Sequence, residues 1–157
     1  MLRQKIDYLH LRLSEVNDKK KRHYMDLYHR ILTTLQERDL LSGDNTEEII
    51  AKIDATFYEL KNYVDSNYED KKLRKVYRKH VNELIFLMKR DFDLHPKGSL
   101  QSNYMAMGVA LGSGVGASLS ATIGPAFISI GISMGIAIGL AIGSSKEKEA
   151  EKNNKLY

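Results

Sequence analysis

The chain has 157 residues, 28% of them charged, with a formal net charge of +4 and no cysteine. The lack of cysteine excludes structural disulfides, thiolate zinc sites and a cysteine nucleophile. The length is that of about one domain, yet the average hides two unlike pieces, because no Asp, Glu, Lys or Arg falls between Lys97 and Lys146.

Up to Lys97 there are 20 Lys and Arg against 17 Asp and Glu. This mild surplus is spread along the segment and is too small to argue for a nucleic-acid partner. The N-terminus, Met1-Leu2-Arg3-Gln4-Lys5, is charged and leads into no apolar run of secretory-signal length. Residue 2 is also not the glycine that myristoylation needs. Membrane targeting is therefore expected from the C-terminal part.

Leu2, Ile6, Leu9, Leu13 and Val16 alternate spacings of four and three, the seam of a heptad helix. The polar patch Asn17-Asp18-Lys19-Lys20-Lys21-Arg22 interrupts it. The pattern resumes out of phase at Tyr24, Leu27, Tyr28, Ile31 and Leu35, as one helix with a stutter or as two helices meeting at the patch. Leu40-Leu41-Ser42-Gly43-Asp44-Asn45 predicts a stop, with Gly43 able to take the left-handed conformation. Asn45 with Glu48 then forms a capping pattern ahead of Ile50, Ile53, Phe57, Leu60 and Val64. Ser66 with Glu69 forms a second one, ahead of Leu73, Tyr77, Val81, Leu84 and Met88. The reading is three helices, about 2–40, 46–65 and 67–92, packed as a charged, soluble, coiled-coil-like bundle over residues 1–97. Residues 98–103, following Pro96, read as a linker.

From Tyr104 to Gly143 there are 40 residues without a charge, about twice what one helix needs to cross a hydrocarbon core of roughly 30 Å. Gly124-Pro125 near the centre predicts a turn between two arms, about 104–123 and 126–144. The second arm is strongly apolar. The first holds Ser113, Ser118, Ser120 and Thr122 and needs its partner's help to insert. Gly108, Gly112 and Gly116 recur every fourth residue, as do Gly131, Gly135, Gly139 and Gly143, which gives each arm a smooth groove for close helix contact in lipid. Other readings of so apolar a stretch are a buried core hairpin, an aggregation-prone repeat, or one crossing with a re-entrant half.

These seven glycines, with the repeated Met-Gly, Ile-Gly and Leu-Gly units around them, resemble the tandem glycine-zipper segment of small membrane proteins of low-GC Gram-positive bacteria, over residues 104–143 only. The resemblance implies a membrane-embedded, self-associating hairpin in which the glycines serve helix packing and oligomerisation. It implies nothing for residues before Pro96.

Lys89, Arg90 and Lys97 precede the hairpin and Lys146, Lys148, Lys152 and Lys155 follow it, while the turn has no basic residue. Both termini are therefore expected on the cytoplasmic side of a multi-pass protein. Residues 145–157 read as a polar, solvated tail or a frayed continuation of the last helix.

No nucleophile, metal cluster or phosphate-cradling loop has credible spacing, so no enzyme and no cofactor is expected. His10, His23, His29, His80 and His95 form no metal-binding pair with a carboxylate. Arg74 and His80, with five residues between them, resemble the Arg-to-His spacing of all-helical HEPN nucleases. Arg3 with His10 and Arg22 with His29 satisfy the same loose pattern, which reduces its weight. The basic runs Lys19 to Arg22 and Lys71 to Lys79 read as solvated faces.

The expected function is a self-associating membrane protein, a pore-forming or depolarising effector controlled by its helical domain, with Ser113, Ser118, Ser120 and Thr122 as candidate pore lining. The expected partners are the bilayer and further copies of the chain. The alternative is a passive anchor or scaffold whose bundle binds a partner protein. A membrane-tethered HEPN-like ribonuclease is a third reading.

Overall fold

A computed structural model of the protein describes residues 2–43 and 46–157. They form six helices, α1 (Leu2–Glu15), α2 (Lys19–Glu37), α3 (Glu47–Asp65), α4 (Lys71–Phe92), α5 (Ser99–Ser120) and α6 (Ala126–Lys152). Among the described residues the only β pairing is an isolated bridge between His95 and Leu156. The chain divides into two compact units at Asp93 and Leu94.

The first unit holds α1 to α4, four helices rather than the expected three. The polar patch is a true break, because Asp18 leaves helical geometry and caps α2, accepting the amides of Lys20 at 2.7 Å and Lys21 at 3.3 Å. Asp70 does the same for α4, accepting from Lys72 and Leu73. The expected cap at Ser66 is therefore corrected: Ser66 closes α3, with its hydroxyl donating to the Tyr63 carbonyl at 2.7 Å. Asn45 lies outside the described residues, and Thr46 opens α3 without a side-chain cap.

Nor does Gly43 end α2. The left-handed residue there is Asp39, and the Leu40 amide reaches back to Leu35. Asn67 after α3, Asp93 after α4 and Asn154 after α6 are also left-handed. Asp and Asn tolerate this region because their short polar side chains hydrogen-bond locally.

The core follows the heptad seams with additions. Leu9, Leu13, Met25, Ile31, Leu35, Ile53, Leu60, Val81, Leu84 and Met88 are buried. On α3 the expected Ile53, Leu60 and Val64 are buried, joined by Ile49, Thr56 and Tyr63, while Ile50 and Phe57 are half-buried. Three tyrosines join the helices at its centre. Tyr28 donates to the Ile53 carbonyl at 2.8 Å, Tyr77 donates to the Tyr24 carbonyl at 3.2 Å, and the Tyr77 ring lies between those of Tyr28 and Tyr63.

The second unit, Leu94–Leu156, is the helical pair α5 and α6. Residues 99–103, expected in a linker, form the first turn of α5, and α6 continues well past the expected arm end at Ser144. At its open end, the His95 amide donates to the Lys155 carbonyl at 2.8 Å.

Candidate functional site

Gly124 takes φ 141° and Pro125 precedes the first turn of α6, so this pair turns the chain between α5 and α6 as a tight reversal requires. The two helices then run antiparallel with their glycines face to face. A Cβ placed on Gly108 would meet the Gly135 carbonyl oxygen, and one on Gly135 would meet that of Gly108. Gly112 and Gly131 form the same reciprocal pair. Gly116 faces Phe127 and Ile128, Gly139 faces Tyr104 and Met105, and Gly143 would bring a Cβ within 2.8 Å of the Gln101 Cα. A Cβ position is that of a Cα hydrogen, so in the Gly108–Gly135 and Gly112–Gly131 pairs these hydrogens point at carbonyl oxygens across the contact, each interaction contributing about 0.5–1 kcal/mol. Gly114, off the row, meets nothing within 4 Å.

Both glycine rows are thus used within one chain. The remaining surface is apolar: Leu111 is 70% exposed, Ile123 61% and Met134 63%. Of the described helices, only α6 is long and apolar enough to cross a membrane, and 17% of its apolar window is buried. A core helix of a water-soluble protein would be mostly buried. α5 does not meet the same measure, so of the expected two-helix transmembrane hairpin one helix is a candidate span by itself.

The hydroxyls of α5 do not converge. Ser113 donates to the Ala110 carbonyl at 2.9 Å, Ser118 to Gly114 at 3.0 Å, Ser120 to Ala117 at 2.8 Å and Thr122 to Leu119 at 3.1 Å. At about 100° per residue, Ser113 and Ser120 share one side of α5 while Ser118 lies roughly 140–160° away, and Thr122 lies in the turn beyond the helix end. Each hydroxyl satisfies its donor on a main-chain carbonyl of α5, the bonding that makes Ser and Thr tolerable without water.

The residues after Ser144 hold the open end of the hairpin. Gly98, at φ 83°, starts α5 with no side chain to cap it, and Glu147 of α6 supplies the carboxylate. Its Oε1 accepts from the Gly98 amide and its Oε2 from the Gln101 amide at 3.4 Å. Gln101 Nε2 also donates to Ser144 Oγ at 3.1 Å, and Lys97 pairs with Glu151 at 3.5 Å. A carboxylate at a helix N-terminus meets both the free amides and the positive end of the helix dipole. Glu147→Ala is accordingly expected to cost about 1 kcal/mol and to speed hydrogen exchange at the Gly98 and Gln101 amides. Glu147→Gln, which keeps an acceptor, should fall between the two. Unchanged exchange in Glu147→Ala would refute the cap.

In the first unit, the His10 and His29 rings stand 6.2 Å apart, and burial, then the neighbouring His10, lowers the His29 pKa. Among the described residues no group of three or more His, Asp or Glu is placed to hold a metal ion. Arg74 lines a basic groove with Lys19 and Arg78, and His80 is not part of that lining. No protein-family model, curated protein or solved structure matches this chain.

Proposed function

We propose that the chain is a membrane-anchored helical protein whose α5–α6 hairpin inserts into the bilayer as one preassembled unit and holds the α1–α4 unit at the cytoplasmic surface. The observation that carries this reading is the inverted packing of the hairpin, with glycines inside and Leu, Ile and Met outside. Water-soluble helical pairs bury large side chains, whereas helices in lipid associate through small residues and gain nothing by hiding large ones. At about 1.5 Å per residue, the 22 residues of α5 and 27 of α6 are long enough for a core of roughly 30 Å. α5, which is no candidate span by itself, enters paired with α6.

The basic residues at both ends of the hairpin support an orientation with both termini in the cytoplasm. Single cysteines at Ser102, Ala126 and Ser145 in this cysteine-free chain should label from the cytoplasm, the far side and the cytoplasm respectively. Labelling of Ala126 and Ser145 from the same side would exclude the two-crossing hairpin.

Pore formation by self-associated hairpins is the second reading, favoured by the outward position of the Ser118 and Thr122 hydroxyls. The anchor reading is supported better, because those hydroxyls are bonded to main-chain carbonyls of α5 and the glycine rows face each other within one chain. Controlled expression is expected to leave the membrane potential intact, as read by a voltage-sensitive dye. Depolarisation that disappears in Ser118→Ala/Thr122→Ala would replace the anchor with the pore.

A further inference from the structure

The two basic runs of the first unit are far apart in sequence, and the fold brings them together. Lys19, Lys20, His23 and Tyr24 of α2 and Arg74 and Arg78 of α4 line one open groove of about 410 Å³. No carboxylate is part of that lining. Asp18 and Asp70, which begin these two helices, are engaged by main-chain amides. Elsewhere on the unit cations are paired across helices, Lys5 with Asp54 at 2.9 Å, Lys52 with Glu83 at 2.6 Å and Arg90 with Glu48 at 2.8 Å. Among the described residues Lys19, Lys20, Arg74 and Arg78 make no ion pair.

The wall carrying these charges is fixed. The Arg78 guanidinium lies 5.5 Å from the centre of the Tyr24 ring, and the Tyr24 carbonyl accepts from the fully buried Tyr77. Like charges gathered in one depression repel, and an anion carrying more than one charge would relieve that repulsion. Guanidinium forks match the oxygens of a tetrahedral anion, and lysines add mobile point charges.

We infer that this groove binds the phosphoryl groups of a phosphorylated ligand through Arg74, Arg78, Lys19 and Lys20. The same chemistry is offered by the headgroup of an anionic phospholipid and by a free polyphosphate. The lipid source rests on the membrane reading above, and the phosphate site does not.

The test uses the full chain in phosphatidylcholine nanodiscs, titrated calorimetrically with pyrophosphate at constant ionic strength, and in nanodiscs containing phosphatidylglycerol, with amine-reactive labelling of Lys19 and Lys20. Saturable pyrophosphate binding in the neutral discs supports the site and identifies a free phosphate as the source. Protection of Lys19 and Lys20 by phosphatidylglycerol, without pyrophosphate binding, supports it with a lipid source. Arg74→Gln/Arg78→Gln should weaken either effect about a hundredfold, roughly tenfold for each charge-assisted contact. Its unliganded Tm should stay close to that of the wild type, because the reduced repulsion offsets the lost contact of Arg78 with the Tyr24 ring. Arg3→Gln/Lys89→Gln removes the same charge elsewhere and should bind as the wild type does. The inference is overturned if neither effect occurs, if either survives in the Arg74/Arg78 variant or is lost equally in the control, or if only a long polyanion such as duplex RNA binds.

Discussion

Gly135→Ala and Gly112→Ala are expected to open the α5–α6 hairpin, while Gly114→Ala leaves it closed. At Gly135 and Gly112 the added methyl meets a carbonyl oxygen of the opposite backbone, Gly108 and Gly131 respectively, and no side chain can rotate away to admit it. The helices must separate, which forfeits the close contacts on both sides of the substitution. The expected cost is about 3 kcal/mol for each, the upper end for overpacking. Gly114 faces open space and has no positive φ, so alanine there gains up to about 1 kcal/mol of helix propensity.

The check is a cross-link between Gln101→Cys and Ser144→Cys, whose native side chains hydrogen-bond at 3.1 Å, combined with thermal unfolding in detergent. A Gly135→Ala protein that cross-links and melts like the wild type would show that the glycine contact does not hold the hairpin. Gly112→Leu should open the hairpin in the same way as Gly112→Ala, one step earlier than any oligomer assembly.

The first unit should lose stability steeply above about pH 10. Burial raises the Tyr28 phenol above its ordinary value, with a smaller contribution from Asp54, and burial also raises the wholly buried Tyr77 well above its own. An unfolded tyrosine releases its proton near pH ~10, where the folded phenols still hold theirs. The unfolded chain then binds fewer protons, so stability is fully present below that pH and falls as pH rises. Each phenol contributes roughly 1.4 kcal/mol of loss per pH unit, or about 3 kcal/mol for the two by pH ~11.

Tyrosinate absorbance from Tyr28 and Tyr77 should therefore appear together with the loss of helical circular dichroism. Tyr28→Phe removes the hydrogen bond to Ile53 and should cost about 1 kcal/mol at neutral pH, yet flatten the alkaline decline by one proton. Smooth titration of all nine tyrosines near their ordinary pKa, with helicity intact, would contradict this account of the core.

The sequence by itself determined the all-helical class, because heptad spacing is a local property of the chain and proline is absent before Pro96. It also placed the turn at Gly124-Pro125 and singled out the glycine rows, since spacing by four defines one face of any helix. It misjudged how helices end. Gly43 and Ser66 carried the stronger propensities, but Asp39 and Asn67 take the left-handed positions and Asp18 and Asp70 the caps. Several residue types can fill each of these roles, and the choice falls to whichever boundary lets the buried faces meet. Tertiary structure alone decided what the glycine rows face. A groove on one helix is compatible with a second copy or with the other arm, and only the antiparallel register pairs Gly108 with Gly135 and Gly112 with Gly131. Contacts across long sequence distances were likewise hidden: Glu147 reads as part of a solvated tail until α6 extends far enough to bring its carboxylate to the Gly98 amide. Lys19, Lys20, Arg74 and Arg78 read as two solvated runs until the packing of α2 against α4 gathers their charges into one groove.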